Sequence, residues 1–334
     1  MARTDVRVYE AARLRQECRR PPSNSRKRPP VSASVSLAIR IKPGYPFPMS
    51  SNPDTGSAGP SAKPASFVKS LGSSIRKLLG SRKRHEEYPP LKAEKGFFVN
   101  EAEYRQALAQ KAPGRTTLQA KDGLRITIRR NLWDARIVRE IFFERPYIQD
   151  CRIPEQAVIV DIGGYIGDFP LYCARYCKAS RVIVYEPTLE NYNVLCENVR
   201  QNGFQGLIEP VNKAVGRPGE LVLNVQKLSE DEFHVSAYWY EGCEKRSVPS
   251  ISVAELYETH KLDHVDLLKI DCEGGEYDIL PTIPDPVLAC TRNIVFEFHV
   301  VDGYEPKLNL ARERLRAAGF VLHQDGIIIS ACRP

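Results

Sequence analysis

Three glycines follow a short apolar run near the middle of the chain, in Asp161-Ile162-Gly163-Gly164-Tyr165-Ile166-Gly167-Asp168. Glycine has no Cβ, so such a turn lets a ligand approach the backbone closely. The dinucleotide fingerprint needs glycines at its first, third and sixth positions. Counted from Gly163, the third and sixth positions are Tyr165 and Asp168, and the fingerprint fails. Asp161 favours instead a ligand with a cationic amino-acid head or a ribose, with a purely structural turn as the alternative.

A second acidic residue, Glu186, ends the next apolar run, 19 residues after Gly167. A carboxylate at that place in an α/β sheet can accept hydrogen bonds from both hydroxyls of a ribose. The alternative is an acidic residue that favours the start of the following helix, whose dipole attracts negative charge. Together with the glycine turn, Glu186 predicts a nucleoside ligand.

Carboxylates gather again in Ile270-Asp271-Cys272-Glu273-Gly274-Gly275-Glu276, where a predicted strand gives way to a helix. Ligands of open α/β sheets bind at this edge. Asp271 ends the strand and is the preferred functional residue, whereas Glu276 is interpreted as favouring the helix start. His299 ends the next strand, and an ordinary histidine pKa suits a base; a hydrogen-bonded loop histidine is the alternative. A divalent ion between Asp271 and His299 or Glu297 is not expected, because no compact ligand motif exists.

Alternating strands and helices must position these residues. Short apolar runs predict buried parallel strands, and amphipathic segments between them predict helices. The strands of the main sheet are expected over 157–162, 181–185, 207–211, 265–270 and 294–298, with helices over 168–177, 189–201, 252–258, 276–281 and 308–318 and an extra strand over 219–225. A β-hairpin over 320–330 closes the chain. The fold class is therefore α/β, a doubly wound, mostly parallel sheet with a terminal antiparallel hairpin.

Three segments with different compositions divide the chain. Residues 1–90 hold 18 of the 48 Lys and Arg but only 6 of the 41 Asp and Glu, so the net charge is +12 there and −5 in the remainder. They also hold 12 of the 25 prolines, and we expect a disordered basic tail. Residues 91–150 are expected to form an N-terminal subdomain, with a helix over 100–111 capped by Asn100 and a strand and a helix over 124–130 and 134–143. Residues 151–334 are expected to form the ligand-binding domain.

The tail contains two features of its own. Residues 66–84 have the spacing of a basic amphipathic helix that could rest weakly on an anionic membrane surface, and a short, partly formed helix is the alternative. Met49 is the only methionine besides Met1, and we hypothesise that translation begins there. Because the basic excess belongs to the tail, no nucleic-acid partner is expected.

The nine cysteines are scattered and form no C-x-x-C pair. This spacing favours reduced thiols and therefore a cytosolic protein. The sequence also contains neither a secretory signal pattern nor an apolar run long enough to span a membrane. A cytoplasmic location is therefore expected.

At four places the sequence resembles the FkbM family of S-adenosylmethionine-dependent methyltransferases: VIVDIGGYIGDFPLYCAR, VIVYEPTLENYNVLCENV, VNKAVG and LLKIDCEGGEYDIL. The resemblance covers roughly residues 124–330 and implies a class I, Rossmann-like methyltransferase fold with S-adenosylmethionine as cofactor. It implies that the methionine part of the cofactor lies among Asp161, Gly163, Gly164 and Gly167, the ribose at Glu186, and the adenine beside Asn212 and Ala214. The family usually has Ala and Asn at the places of Gly164 and Tyr165, so at Tyr165 only a backbone contact is expected.

The implied reaction is methyl transfer to a hydroxyl group of a sugar, glycan or natural product, with Asp271, Glu273 and His299 as candidates for the base. Tyr238, Trp239 and Tyr240 could stack on a sugar or pack in the core, and His234 is expected at the surface. Two alternatives stay open. One is another nucleotide-using enzyme such as a dehydrogenase, which the failed fingerprint disfavours. The other is a noncatalytic nucleoside-binding or membrane-tethered protein that keeps the fold.

Overall fold

The computed structural model describes residues 96–109, 114–130, 132–227, 233–236, 243–299 and 303–334. All of them belong to one compact unit of the chain, residues 63–334. The predicted tail, the amphipathic helix over 66–84, the Met49 start and the aromatic residues 238–240 lie outside the described residues. The same holds for the side chain of His234. Among the described residues, no helix combines the length and apolar character needed to cross a bilayer.

A seven-stranded sheet forms the centre of the fold, in the order β12-β13-β11-β10-β3-β4-β5. Its strands are β3 (Val158–Ile162), β4 (Arg181–Tyr185), β5 (Ile208–Val211), β10 (Leu267–Ile270), β11 (Asn293–Glu297), β12 (Val321–Asp325) and β13 (Ile328–Cys332). Strands β5, β4, β3, β10 and β11 run parallel, whereas β13 is antiparallel to both of its neighbours. After β3 the chain forms β4 and β5 on one side of it, and it then returns to form β10, β11 and the terminal hairpin on the other side. This is the class I methyltransferase arrangement, and the predicted doubly wound sheet and terminal hairpin are confirmed.

Two apolar cores cover the faces of this sheet because its side chains alternate between them. In β3, Ile159 belongs to the first core and Val160 and Ile162 to the second. Helices α3 (Asp168–Tyr176) and α4 (Leu189–Gln201) supply the first core. The second core contains residues of α5 (Val253–Thr259), α6 (Glu276–Ile279), α7 (Asp285–Cys290) and α8 (Tyr304–Ala317). Helix α7 was not predicted from the sequence; it begins with Asp285-Pro286, a start that suits proline.

The chain before the main sheet forms α1 (Glu101–Leu108), the hairpin of β1 (Arg115–Gln119) and β2 (Arg125–Arg129), and α2 (Leu132–Arg139). A π-helical turn, Glu140–Glu144, and a 3₁₀ turn, Pro146–Ile148, then lead to β3. Strand β1 was not predicted. Asn100 stands before α1, but its predicted capping bond is wrong: its amide group pairs with the backbone of Thr117 and Gln119 in β1 instead.

A smaller four-stranded sheet of order β6-β9-β7-β8 adjoins the carboxyl edge of the main sheet. It consists of β6 (Ala214–Val215), β7 (Gly219–Lys227), β8 (Phe233–Ser236) and β9 (Glu244–Ile251). Only β7 was predicted. Strand β9 begins with three charged residues and contains a proline, so its sequence lacks the apolar signal on which the prediction relied.

One expectation about the cysteines is wrong. Cys151, after the 3₁₀ turn, and Cys332, in β13, form a disulfide across 181 residues of sequence. The pattern of the sequence could not show this because the partners are brought together only by the complete sheet. Disulfides persist mainly in oxidising compartments. The argument from reduced thiols for a cytoplasmic location is therefore lost, and the location stays a prediction.

Candidate active site

A cavity of about 970 Å³ opens between the carboxyl edge of the main sheet and the smaller sheet. It lies where the chain turns from one half of the sheet to the other, which is the usual ligand site of doubly wound folds. Seven residues named from the sequence line it: Gly163, Tyr165, Glu186, Ala214, Asp271, Glu273 and His299. The other four, Asp161, Gly164, Gly167 and Asn212, lie behind the lining.

The glycine turn after β3 is shaped by close packing. A Cβ at Gly163 would lie 1.7 Å from the carbonyl oxygen of Asp271, and Gly163 has a φ of +90°, so both contact and conformation require glycine. A Cβ at Gly164 would lie 2.1 Å from Cγ1 of Val184. The alanine that the family usually has there would therefore require Val184 to move.

Tyr165 uses its backbone and its side chain for different contacts. Its backbone N–H donates to Oε2 of Glu186 at 2.9 Å. Its hydroxyl group donates to Oδ1 of Asp134 at 2.7 Å, and the guanidinium of Arg129 lies 5.2 Å from the ring centre. Tyr165 thus holds the carboxylate of Glu186 through its backbone and ties the glycine turn to the N-terminal segment through its side chain.

Glu186 is buried at the end of β4 with both oxygens engaged. Oε1 accepts from the backbone N–H of Thr188 at 2.9 Å, and Oε2 accepts from that of Tyr165. Burial raises the pKa of Glu186 to about 7, although these hydrogen bonds oppose the shift. A carboxylate offers about four lone-pair directions, so Glu186 keeps acceptor capacity toward the cavity.

Asp161 is fully buried beside the cleft and does not line the cavity. Its Oδ1 accepts from Nζ of Lys269 at 3.0 Å, and its Oδ2 has no hydrogen-bond partner among the described residues. Burial raises the pKa of Asp161 to about 6 against the opposing effect of Lys269. Sequence reasoning missed Lys269 because a lysine inside an apolar strand gives no signal of its buried partner.

The two residues expected beside an adenine, Asn212 and Ala214, differ in their contacts. Ala214, in β6, is buried and lines the cavity. The amide group of Asn212 donates to the carbonyl oxygens of Glu186 and Pro187 at 2.9 and 3.0 Å. Asn212 therefore supports the loop that carries Glu186 and holds the ligand site together from behind.

His299 stands among carboxylates at the polar end of the cavity. Its Nδ1 and its backbone N–H lie 2.9 and 2.8 Å from Oε1 of Glu276, and its Nε2 is 3.3 Å from Oε2 of Glu273. Burial lowers the pKa of His299, but the bond to Glu276 and the nearby negative charges outweigh it and raise the pKa to about 10. The ordinary pKa assumed from the sequence therefore does not apply, and His299 is a cation at neutral pH.

Glu276 does more than favour a helix start. Besides holding His299, it accepts from the backbone N–H of Gly274 through Oε2 at 2.8 Å, and its side chain is fully buried. Glu273 is half-exposed and has a φ of +51°. Although this side chain is 47% exposed, it lies in the cavity wall, where desolvation and the neighbouring carboxylates raise the pKa of Glu273 to about 7 against the opposing charge of His299.

Tyr147 and Glu297 complete the group, and sequence reasoning gave neither a catalytic role. The hydroxyl group of Tyr147 lies 2.8 Å from Oδ2 of Asp271 and 2.8 Å from Oε2 of Glu297. Ligand atoms of Asp271, Glu297 and His299 come within 4.8 Å of one another. An ion there would require His299 to give up its proton, whereas the negative charges of Glu276 and Glu273 favour the protonated imidazole.

Comparisons with known proteins match part of the chain to a methyltransferase family model and to curated methyltransferases. A family model described as the Methyltransferase FkbM domain matches residues 161–322. The chain is 27% identical over 208 residues to methyltransferase sdnD of Sordaria araneosa, a match over 53% of this chain and 79% of that protein. It is 28% identical over 180 residues to methyltransferase 1 of Beauveria bassiana, covering 48% of this chain and 72% of that protein.

Two further similarities are more limited. The chain is 26% identical over 206 residues to the AMB antimetabolite synthetase AmbE of Pseudomonas aeruginosa, which covers 49% of this chain but 9% of that protein. Among solved structures, methyltransferase FkbM from Methylobacillus flagellatus is 13% identical with a TM-score of 0.38, over 56% of this chain and 46% of that chain.

The strand order and the cavity at the turning point of the sheet define a protein with the class I methyltransferase fold. Residues 161–322, just under half of the chain, match the model of the FkbM methyltransferase domain, so this part of the chain is similar to that family.

Proposed function

We propose that the chain is an S-adenosylmethionine-dependent O-methyltransferase that acts on a hydroxyl group of a sugar, glycan or natural product. The observation that supports this most directly is the position of Asp271. Its carbonyl oxygen packs against Gly163 of the glycine turn, while its side chain lines the cavity beside Glu273 and His299. One residue thus joins the proposed cofactor end of the cavity to its proposed acceptor end.

The residues present fit the cofactor. Gly163 lines the cavity beside the glycine turn, Glu186 offers carboxylate oxygens for ribose hydroxyls, and the small side chain of Ala214 leaves room for a flat base. The volume of about 970 Å³ is at the upper end of small-molecule sites, which leaves space for a cofactor and an acceptor together. When bound, S-adenosylmethionine supplies an electrophilic methyl group on a positively charged sulfur.

We assign the base to Asp271 and a charge-stabilising role to His299. Oδ1 of Asp271 accepts no hydrogen bond from the described residues, so it can take the proton of an acceptor hydroxyl. His299 carries its proton at neutral pH and can stabilise negative charge on the acceptor oxygen. Glu273, with a pKa of about 7, is the second base candidate.

Calorimetry with S-adenosylmethionine, S-adenosylhomocysteine and NAD tests the cofactor. We expect the first two to bind and NAD not to bind; binding of NAD alone would support the dehydrogenase alternative, and binding of none would favour a noncatalytic protein.

Glu186→Gln should weaken S-adenosylmethionine binding about 10-fold or more, since a hydrogen bond to a charged group contributes about 1.5–3 kcal/mol. Glu209→Gln, at a half-exposed ion pair with Arg181, is the matched control.

The acceptor can be found by profiling metabolites of a deletion strain for compounds that lack one CH₂. With an acceptor in hand, Asp271→Asn should abolish turnover and leave S-adenosylmethionine binding intact. If Asp271→Asn, Glu273→Gln and His299→Asn all retain turnover, the assignment of the base is wrong.

A further inference from the structure

Tyr147 occupies the space between two carboxyl groups of the site. Its oxygen lies 2.8 Å from Oδ2 of Asp271 and 2.8 Å from Oε2 of Glu297, and the residue is 3% exposed. It comes from the 3₁₀ turn Pro146–Ile148, outside the segment that the family model matches. The main sheet supplies the two carboxyl groups, at the ends of β10 and β11, and the N-terminal segment supplies the group that joins them.

The three side chains need two protons between them. A phenol has one hydrogen to donate and lone pairs to accept with. If Tyr147 donates to one carboxyl group, its oxygen meets the other at 2.8 Å, a hydrogen-bond distance. If both carboxyl groups were ionised, the phenol oxygen and the second carboxylate would face each other with lone pairs and no hydrogen between them. One carboxyl group must therefore carry a proton and donate it to the phenol oxygen.

The surroundings favour Glu297 as the protonated group. The ammonium of Lys269 lies 3.5 Å from Oδ2 of Asp271 and stabilises its negative charge, and the side chain of Glu297 is the less exposed of the two, 16% against 25%. Burial and the charge of Asp271 raise the pKa of Glu297 to about 7, against the opposing effects of His299, Tyr147 and Lys269. Other charged or titratable groups around the trio are Glu140, Asp168, Glu273 and Glu276.

We propose that Tyr147 is a positioning residue, which accepts a hydrogen bond from protonated Glu297 and donates one to Oδ2 of Asp271, so that Asp271 stays ionised with Oδ1 available to the acceptor hydroxyl. This inference rests on the proposed role of Asp271 as the base. It also gives the N-terminal segment a part in the chemistry, since the ionisation of the base is set by a residue of the turn before β3.

The experiment is a carboxyl ¹³C NMR titration of the full chain labelled at Asp and Glu, with signals assigned through Asp271→Asn and Glu297→Gln. In the wild type, Glu297 should titrate near neutral pH. In Tyr147→Phe, protonated Glu297 loses the oxygen that accepts its proton, so its midpoint should fall by about one pH unit, a tenfold change in the ratio of ionised to protonated form. If Tyr147 instead donates to an ionised Glu297, the same substitution should raise the midpoint.

Tyr257→Phe is the matched control, because that buried hydroxyl group lies 2.8 Å from Oγ1 of Thr291, away from the cavity. It should leave the midpoint of Glu297 unchanged. An unchanged or higher Glu297 midpoint in Tyr147→Phe would overturn the proposal. If Tyr147→Phe does not fold, the wild-type titration decides: a Glu297 midpoint below about 5, near its ordinary value, also overturns it. Calorimetry with S-adenosylmethionine tests the proposed function separately, since the titration needs no cofactor.

Discussion

The ammonium group of Lys269 lies 3.0 Å from Oδ1 of Asp161, and neither side chain is more than 3% exposed. The same Nζ is 3.3 Å from the carbonyl oxygen of Gly163 and 4.8 Å from the ring centre of Tyr147. One buried cation thus contacts the first strand of the main sheet, the glycine turn and the N-terminal segment. Nearby negative charges raise the pKa of Lys269 although burial lowers it, so Lys269 stays charged.

Lys269→Met should lower the free energy of unfolding by about 3–5 kcal/mol, because it leaves Asp161 as an unpaired buried charge. The loss should be smaller at about pH 5 than at about pH 8, since protonation neutralises Asp161 as the pH falls. Guanidinium denaturation at each pH measures the free energy of unfolding of the wild type and the variant. The double variant with Asp161→Asn should recover much of the loss; simple additivity of the two single losses would contradict a direct interaction.

Gly163→Ala should abolish S-adenosylmethionine binding, because its Cβ would stand 1.7 Å from the carbonyl oxygen of Asp271. Gly123→Ala is the matched control: Gly123 has a φ of +92° and no atom within 4 Å of its Cβ position. Both variants bear the cost of a positive φ, on the order of 1 kcal/mol, but only the first displaces Asp271. Calorimetry on the two folded variants should separate them, and equal affinities would show that the contact is unimportant.

Stability should fall as the pH rises from about 5 to about 8. Burial raises the pKa of Glu140 to about 8 and of Glu297 and Asp168 to about 7, above the values of the unfolded chain. The folded state therefore holds more protons in this interval, and unfolding becomes easier as they leave. The raised pKa of His299 acts in the same direction, and the pKa of His260, lowered by burial, opposes it.

Guanidinium denaturation at about pH 6 and about pH 8 measures this slope. Glu140→Gln should flatten it, because the amide cannot ionise. Stability that increases over the same interval would mean that the carboxyl groups keep ordinary pKa values.

The disulfide between Cys151 and Cys332 should stabilise the fold by about 2–4 kcal/mol. Alkylation of the denatured, unreduced protein should modify two fewer thiols than the nine cysteines of the chain. Cys332→Ser should lower the denaturation midpoint to that of the reduced wild type. Modification of all nine thiols before reduction would contradict the pairing and would restore the sequence-based expectation of reduced cysteines.

The sequence was sufficient where local pattern and position in the chain decide the outcome. Strand Arg181–Tyr185 and helix Leu189–Gln201 match their predicted bounds because an apolar run and an amphipathic period mark each of them. Gly163, Glu186 and Asp271 follow consecutive or neighbouring strands of one sheet, so the rule that ligands bind at the carboxyl edge was enough to predict that they lie close together.

The sequence was insufficient where distant residues determine a property. The pKa of His299 depends on Glu276, whose partner could not be read from its place before a helix. Tyr147 joins residues 124 and 150 positions away, and an isolated tyrosine in a turn carries no pattern. Strand β9 depends on pairing with β7 to compensate for its weak apolar character.

The strand order has a practical consequence for moving this catalytic unit between proteins. The matched segment 161–322 begins inside β3 and ends inside β12, and it omits β13, which lies between β11 and β12. A gene fragment with those limits would encode the binding motifs but would separate two strands from their common neighbour and leave out Tyr147. A portable unit must therefore include Tyr147 and β13 through Cys332, together with the N-terminal segment whose side chains fill part of the first core.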